Sequence, residues 1–213
     1  MVNNLNASLT QDLINHKLIA ILRGKDVDST VLAAKTLFES GVKILEVTLT
    51  LENAYEAIRQ ISTFVPSGYR LGAGTVLSAL QVDQSLSAGA SFIVTPTISE
   101  SVGYAAGIDI PTLAGAFSPT EIKTAHNFGV AGVKLFPSFA LGPKFIRAVL
   151  DPMPELALIA VGGVGLEDVR SYLDAGAIAV GVGGPLLGDG ISPGGNQIEL
   201  GKRASQYLKQ VGR

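Results

Sequence analysis

The chain has no cysteine, no tryptophan and only two histidines among its 213 residues. Without cysteine there are no disulfides, no thiolate nucleophile and no cysteine-ligated metal. His16 and His126 are too far apart in sequence for a metal-binding spacing, so each reads as an ordinary surface or helix residue. Any chemistry here is therefore expected to proceed without histidine and without a metal. Charge is also scarce: Lys, Arg, Asp and Glu make up 16% and the formal net charge is −2. No basic block or aromatic-interleaved Lys/Arg run appears, which argues against a nucleic-acid partner. No stretch of about 18 or more apolar residues passes without a charge, Gly or Pro, so no membrane-spanning helix is expected. The opening segment MVNNLNASLTQDLINHK is polar and amphipathic and lacks the basic head and apolar run of a secretory signal. A cytoplasmic location is the simplest expectation.

Apolar residues, by contrast, make up 47% of the chain, and the length suits one domain over residues 1–213 better than two. Short apolar runs alternate with helix-period segments about eight times. The strand candidates are Leu18–Leu22, Ile44–Leu49, Tyr69–Gly74, Ser91–Thr95, Ile110–Gly115, Ala131–Phe136, Leu156–Val161 and Ala177–Val182. Most are apolar at nearly every position, as parallel strands buried on both faces should be. Helix signals lie between them. Asp28 and Ser29 are placed to cap the first, and Gly41, Gly89, Gly129 and Gly176 each stop a helix shortly before a strand. Ser118-Pro119-Thr120-Glu121 combines a cap residue, a first-turn proline and a glutamate three residues on. Eight such units predict a compact (β/α)8 TIM barrel, with an extra N-terminal helix around Thr10–His16 covering its base. An open doubly wound sheet is disfavoured: no GxGxxG turn follows the first strand, and GAGTVL after the third does not complete that pattern.

In a barrel the chemistry sits at the C-terminal ends of the strands, so charged or Gly-rich exceptions within apolar runs are informative. Lys134 lies in AGVKLFP; a lysine there is costly unless its amine is neutral or partnered, and a neutral amine attacks carbonyls. The plainer alternative is a side chain reaching from the strand end to water. Glu46, in KILEVTLT, is an equally expensive carboxylate unless it meets Lys134 or water. It reads either as a proton shuttle beside an amine or as half of a structural ion pair. Arg23 ends LIAILRG and could hold a substrate carboxylate or form a salt bridge on the rim. Thr48, Thr50 and Thr75 add hydroxyls near the same face, though Thr75 also suits a helix cap. Two Gly-rich turns, Ala160–Gly165 and Val180–Gly190, follow the last two strands, where such barrels bind phosphate through bare backbone N–H groups. Glycine also serves ordinary tight turns, but two at this location favour phosphate.

With these residues in view, the sequence resembles the 2-keto-3-deoxy-6-phosphogluconate / 4-hydroxy-2-oxoglutarate aldolase family. The resemblance runs from about Leu18 to Gly188 through LIAILRG, LEVTLT, GAGTVL, IVTP, GVKLFP, LGPKFIRAVL and AVGGV, in that order. It implies a class I aldolase on a TIM barrel, without metal or other cofactor, assembled as a homotrimer. Its substrate would be a small-molecule 2-keto acid carrying a sugar phosphate. It further implies that Lys134 forms a Schiff base and Glu46 acts as general acid/base. Thr75 and Pro96 would line the pyruvyl pocket, Phe136 would pack beside the imine, and Gly162, Gly163, Gly183 and Gly184 would bind phosphate.

Departures from the family pattern bear on substrate choice. Val161-Gly162-Gly163 stands where members acting on the gluconate substrate often have Thr-Gly-Gly. This feature, with VTP at Pro96 and LFPS after the lysine, is similar to the 2-keto-3-deoxy-6-phosphogalactonate branch. Thr50 stands where many relatives have Arg, so a carboxylate contact would pass to Arg23 or to backbone. Ala114-Gly115 replaces a common Pro-Gly, and Gly184-Pro185 replaces a common Ser. Two readings keep the imine: cleavage of unphosphorylated 4-hydroxy-2-oxoglutarate and decarboxylation of oxaloacetate. A phosphosugar epimerase, a thiamin-phosphate synthase or a non-catalytic phosphosugar-binding barrel would use the phosphate cup without an imine.

Overall fold

The computed structural model describes residues 4–212. Eight parallel strands close into a barrel in sequence order: β1 Leu18–Leu22, β2 Ile44–Thr48, β3 Arg70–Gly74, β4 Phe92–Val94, β5 Thr112–Ala116, β6 Gly132–Leu135, β7 Leu158–Val161 and β8 Ala179–Val182. Ladders between β1 and β2 and between β1 and β8 complete the ring. Helices α1 Asn4–His16, α2 Val27–Glu39, α3 Ala54–Ser62, α4 Ala79–Ser87, α5 Glu100–Gly107, α6 Pro119–Asn127, α7 Gly142–Leu150 and α8 Val169–Asp174 precede or link the strands. After β8 come a single-turn helix, α9 Gly184–Leu187, and a long one, α10 Gln197–Gln210. This is the expected (β/α)8 barrel. None of the helices among the described residues is long and apolar enough to cross a membrane.

Alternation along each strand sorts the side chains into two cores. Outward-facing residues such as Leu45, Val47, Val133 and Leu135 pack under the helices, while Ile19, Ile44, Phe92, Leu113 and Ile159 fill the barrel. Several strands start later than their apolar runs do. Ile110, Leu156 and Ala177 still bond backward, to Ala105, Met153 and Tyr172, so apolar character begins in the turn before the ladder does.

The N-terminal helix is longer than expected and does cover the base of the barrel. Leu9 and Leu13 are fully buried with the interior cluster, each contributing about 1.5–3 kcal/mol of apolar burial. Polar contacts fix its seat: Thr10 Oγ1 donates to the Ala131 carbonyl at 2.7 Å, and Asp12 accepts from Arg70 Nε at 2.8 Å. The α2 cap is a correction. Asp26, in extended backbone, accepts from Ser29 N at 2.8 Å, so Asp28 and Ser29 belong to the first turn instead. Ser118 and Glu121 form the expected capping box on α6. Gly41, Gly89, Gly129 and Gly176 all take positive φ ahead of their strands.

Candidate functional site

Lys134 and Glu46 meet across the barrel axis from β6 and β2, four strands apart in the ring. Lys134 Nζ lies 3.9 Å from Glu46 Oε1, with the two residues only 7% and 2% exposed. That distance is an ion pair but too long for a hydrogen bond, and Glu46 Oε1 has no hydrogen-bond partner among the described residues. Such a carboxylate is costly to keep for stability alone. Glycines make the interior room. A methyl at Gly74 would stand 2.5 Å from Glu46 Cδ, one at Gly72 would stand 2.5 and 2.7 Å from Phe92 ring atoms, and one at Gly115 would overlap the Pro96 backbone.

Lys134 opens onto a cavity of about 350 Å³ at the C-terminal end of the barrel. Arg23, Phe136, Val161, Gly162, Gly163, Gly183 and Gly184 share its wall, so eight of the residues singled out in the sequence surround one space. Lys134 Nζ lies 5.3 Å from the centre of the Phe136 ring. Glu46 reaches the group through its ion pair with Lys134. Ile21, Gly181, Pro185, Leu187 and Ile191 also line the cavity; Gly181, Pro185 and Leu187 belong to the Gly-rich turn noted in the sequence, while Ile21 and Ile191 are apolar residues that carried no signal.

Four other singled-out residues, Thr48, Thr50, Thr75 and Pro96, are not on this wall. Pro96 lines a smaller space of about 170 Å³ on the other side of Phe136, with Gly115 and Glu121. Thr50 is exposed, its hydroxyl 2.8 Å from that of Thr48. Thr75 follows β3 in left-handed backbone, φ 61°, and does not cap α4, whose cap is Ser78. Neither Thr50 nor Thr75 lines the lysine's cavity.

The turn after β7 is shaped by backbone and packing together. Gly162 and Gly163 have φ of 91° and 73°, and a methyl on Gly163 would stand 2.6 Å from Phe139 Cβ. Two residues hold this turn: Ser138, noted in the sequence only as part of LFPS, and Tyr172, which the sequence did not flag. Ser138, 1% exposed, donates from Oγ to the carbonyls of Val161 and Gly162 at 3.0 and 3.2 Å. Tyr172 of α8 donates its hydroxyl to the Ser138 carbonyl at 3.0 Å. Burial pushes the Tyr172 hydroxyl above its ordinary value of 10.0, against the opposing effect of its bond to Ser138 and with a smaller push from Asp168. After β8, Arg203 of α10 caps the end of α9 by donating to the Leu186 and Leu187 carbonyls at 2.8 and 2.7 Å.

The site thus offers an amine and a carboxylate within reach of one small molecule, and backbone turns at the far wall suited to an anion. Among the described residues no cluster of three or more His, Cys, Asp or Glu could hold a metal ion.

The chain as a whole is similar to known proteins. Residues 9–197 match the family model described as "Aldolase: KDPG and KHG aldolase". The 2-dehydro-3-deoxy-6-phosphogalactonate aldolase of Escherichia coli (strain K12) is 36% identical over 177 residues, covering 82% of this chain and 86% of that protein. The 2-dehydro-3-deoxy-phosphogluconate aldolase of Haemophilus influenzae is 35% identical over 159 residues, 74% of each chain. A solved structure described as native KDPGal superposes with a TM-score of 0.84 at 32% identity, covering 91% of this chain and 93% of its own.

Proposed function

Since the chain belongs to the KDPG and KHG aldolase family, we propose that it is a class I aldolase cleaving a 2-keto-3-deoxy-6-phospho-sugar acid to pyruvate and glyceraldehyde 3-phosphate. The observation that carries the reading is the buried Lys134–Glu46 pair, 3.9 Å apart at the wall of a cavity that ends in two glycine turns.

In this mechanism Lys134 Nζ, as the free amine, adds to the C2 ketone. Glu46 moves protons as the carbinolamine loses water and becomes an iminium. The iminium draws electrons: the C4 hydroxyl loses its proton to the Glu46 carboxylate, the C3–C4 bond breaks, and its electron pair goes into an enamine. The aldehyde fragment leaves, C3 takes a proton back, and water releases pyruvate and regenerates the amine. Arg23 is assigned to the substrate carboxylate, and Gly162, Gly163, Gly183 and Gly184 to its phosphate. Phe136 packs beside the imine, while Thr50, Thr75 and Pro96 are left to the rim of the site.

The galactonate epimer is the assigned substrate within this class. Val161 presents methyl groups to the cavity where a hydroxyl would hydrogen-bond, which alters selection at the C4 hydroxyl. The relative from E. coli carries the phosphogalactonate name. We assign a cytoplasmic homotrimer, on the family resemblance and on the exposed side chains of Leu77, Leu80 and Phe117, which lie after β3 and β5; a monomer by light scattering would overturn the assembly.

The test of the reaction is borohydride reduction in the presence of pyruvate, read by intact mass and peptide mapping. A reduced pyruvyl adduct on Lys134, absent from Lys134→Ala, is expected. No adduct on the folded protein overturns the imine and returns the reading to a phosphosugar isomerase or a binding barrel. Comparing kcat/KM for the two phosphorylated C4 epimers and 4-hydroxy-2-oxoglutarate then fixes the substrate.

A further inference from the structure

The loops leaving β6 and β7 are joined by one buried side chain. Lys134 stands in β6, and four residues later Ser138 opens a single 3₁₀ turn, Ser138–Ala140. Its hydroxyl bridges the carbonyls of Val161 and Gly162, and Phe139 N adds a third bond, to Gly162 O at 3.1 Å. The contact is tight. A methyl on Gly162 would come within 3.0–3.2 Å of Phe136 and Pro137, and one on Gly163 would meet Phe139. The other side of the turn is held as well. Tyr172, 4% exposed on α8, reaches back to the Ser138 carbonyl at 3.0 Å. The chain from α8 through Ser138 to Val161-Gly162 therefore ties the strand carrying the amine to the glycine turn that faces the same cavity.

We propose that Ser138, backed by Tyr172, is a positioning residue that fixes the distance between the Lys134 amine and the anion-facing Gly162–Gly163 turn, and so makes the site selective for a 2-keto acid phosphorylated at its far end. The proposal rests on the aldolase reading above. Ser138 touches no reacting atom; it acts by orienting the turn. A fixed span matters only to a substrate gripped at both ends. One that is held by its keto end alone, such as pyruvate, does not sense it.

The test compares Ser138→Ala with the unaltered protein on three readouts: the rate of pyruvate trapping by borohydride, kcat and KM for the phosphorylated substrate, and kcat/KM for unphosphorylated 4-hydroxy-2-oxoglutarate. Losing a bridging hydroxyl is expected to raise KM for the phosphorylated substrate by about tenfold, the scale of one or two hydrogen bonds. Trapping and turnover of the unphosphorylated acid should stay within about twofold, as ground-state chemistry at the amine is untouched. Tyr172→Phe, which keeps the ring and removes the donor, should shift KM in the same direction by a smaller factor. It serves as the second variant if Ser138→Ala does not fold. A loss shared equally by all three readouts marks a merely structural role and overturns the proposal, as does an unchanged KM for the phosphorylated substrate. If the unaltered protein itself traps no pyruvate, the aldolase reading falls and takes this one with it. Intact trapping without a phosphate-selective effect sinks the positioning role alone.

Discussion

Gly74→Ala is the smallest change that should separate the lysine from its carboxylate. Gly74 lies in extended strand backbone, so alanine there brings no dihedral strain, and the whole effect comes from the added methyl. That methyl would stand 2.5 Å from Glu46 Cδ and 2.6 Å from Cγ, whereas carbon atoms settle about 3.5–4.0 Å apart. The carboxylate must therefore retreat by about 1 Å or more from its buried place 3.9 Å from Lys134 Nζ. A misplacement of about 1 Å at a catalytic group costs about a hundredfold in rate, so kcat should fall by at least that factor. Overpacking the interior should cost about 1–3 kcal/mol, lowering Tm by about 2–12 °C for a chain of this size. The assay is pyruvate release coupled to lactate dehydrogenase, alongside the borohydride trapping rate and a thermal melt. Gly103→Ala is the control. It sits within α5, its methyl would meet only Phe128 at 3.6 Å, and it should leave kcat unchanged. A folded Gly74→Ala protein with kcat within about threefold of the parent would refute the claim that Glu46 works from where it lies.

The remaining predictions are simpler. Glu46→Gln keeps the shape and removes the base, so kcat should drop by about 10²–10⁴-fold; unchanged turnover would reassign the proton transfers to another group. Tyr207 is buried, its hydroxyl has no hydrogen-bond partner among the described residues, and burial, then Asp168, pushes it up to about 12. Tyr207→Phe removes a donor that gains nothing and should leave Tm equal or raised, a result that a fall of more than about 3 °C would contradict. Glu121 is held below its ordinary 4.5 by the backbone N–H of Ser118 first and that of Phe117 next. A depressed carboxylate contributes stability that is complete above its unfolded value and is lost as pH falls through the lower folded one. Tm measured from about pH 5 to about pH 3 should therefore decline less steeply in Glu121→Gln than in the parent; parallel curves would show that the cap carries no pH dependence.

The barrel was legible because strands buried on both faces leave a plain mark, eight apolar runs each ended by a turn. Their first residues were not, since Ile110, Leu156 and Ala177 are apolar yet still bonded into the preceding turn. The α2 cap was misplaced for a related reason: Asp26, Asp28 and Ser29 are all competent cap residues, and only the backbone, extended at Asp26, decides among them. Lys134 and Glu46 stood out because charge in an apolar strand demands an explanation. Pro96 lines the adjoining space beyond Phe136, and Thr50 and Thr75 are not on the wall of the lysine's cavity. Ser138 was noticed only as the end of LFPS and Tyr172 not at all, for the opposite reason. Both are ordinary residue types, and their significance comes from a bond made across 34 positions of chain.

The helix seated under the barrel also dictates traffic. With Leu9 and Leu13 packed into the floor of the barrel, the lysine's cavity lies at the C-terminal end. The amine sits deep in it and the glycine turns sit near the lip, Gly163 and Gly184 being exposed. A substrate tethered at the bottom and cut in its middle leaves its outer piece between the inner piece and solvent. On the proposed reaction the phosphorylated aldehyde must depart first and pyruvate last, and in the synthetic direction pyruvate must load first. Aldehyde seated at the turns ahead of pyruvate would stand between it and the amine, so on this reading the order of filling matters.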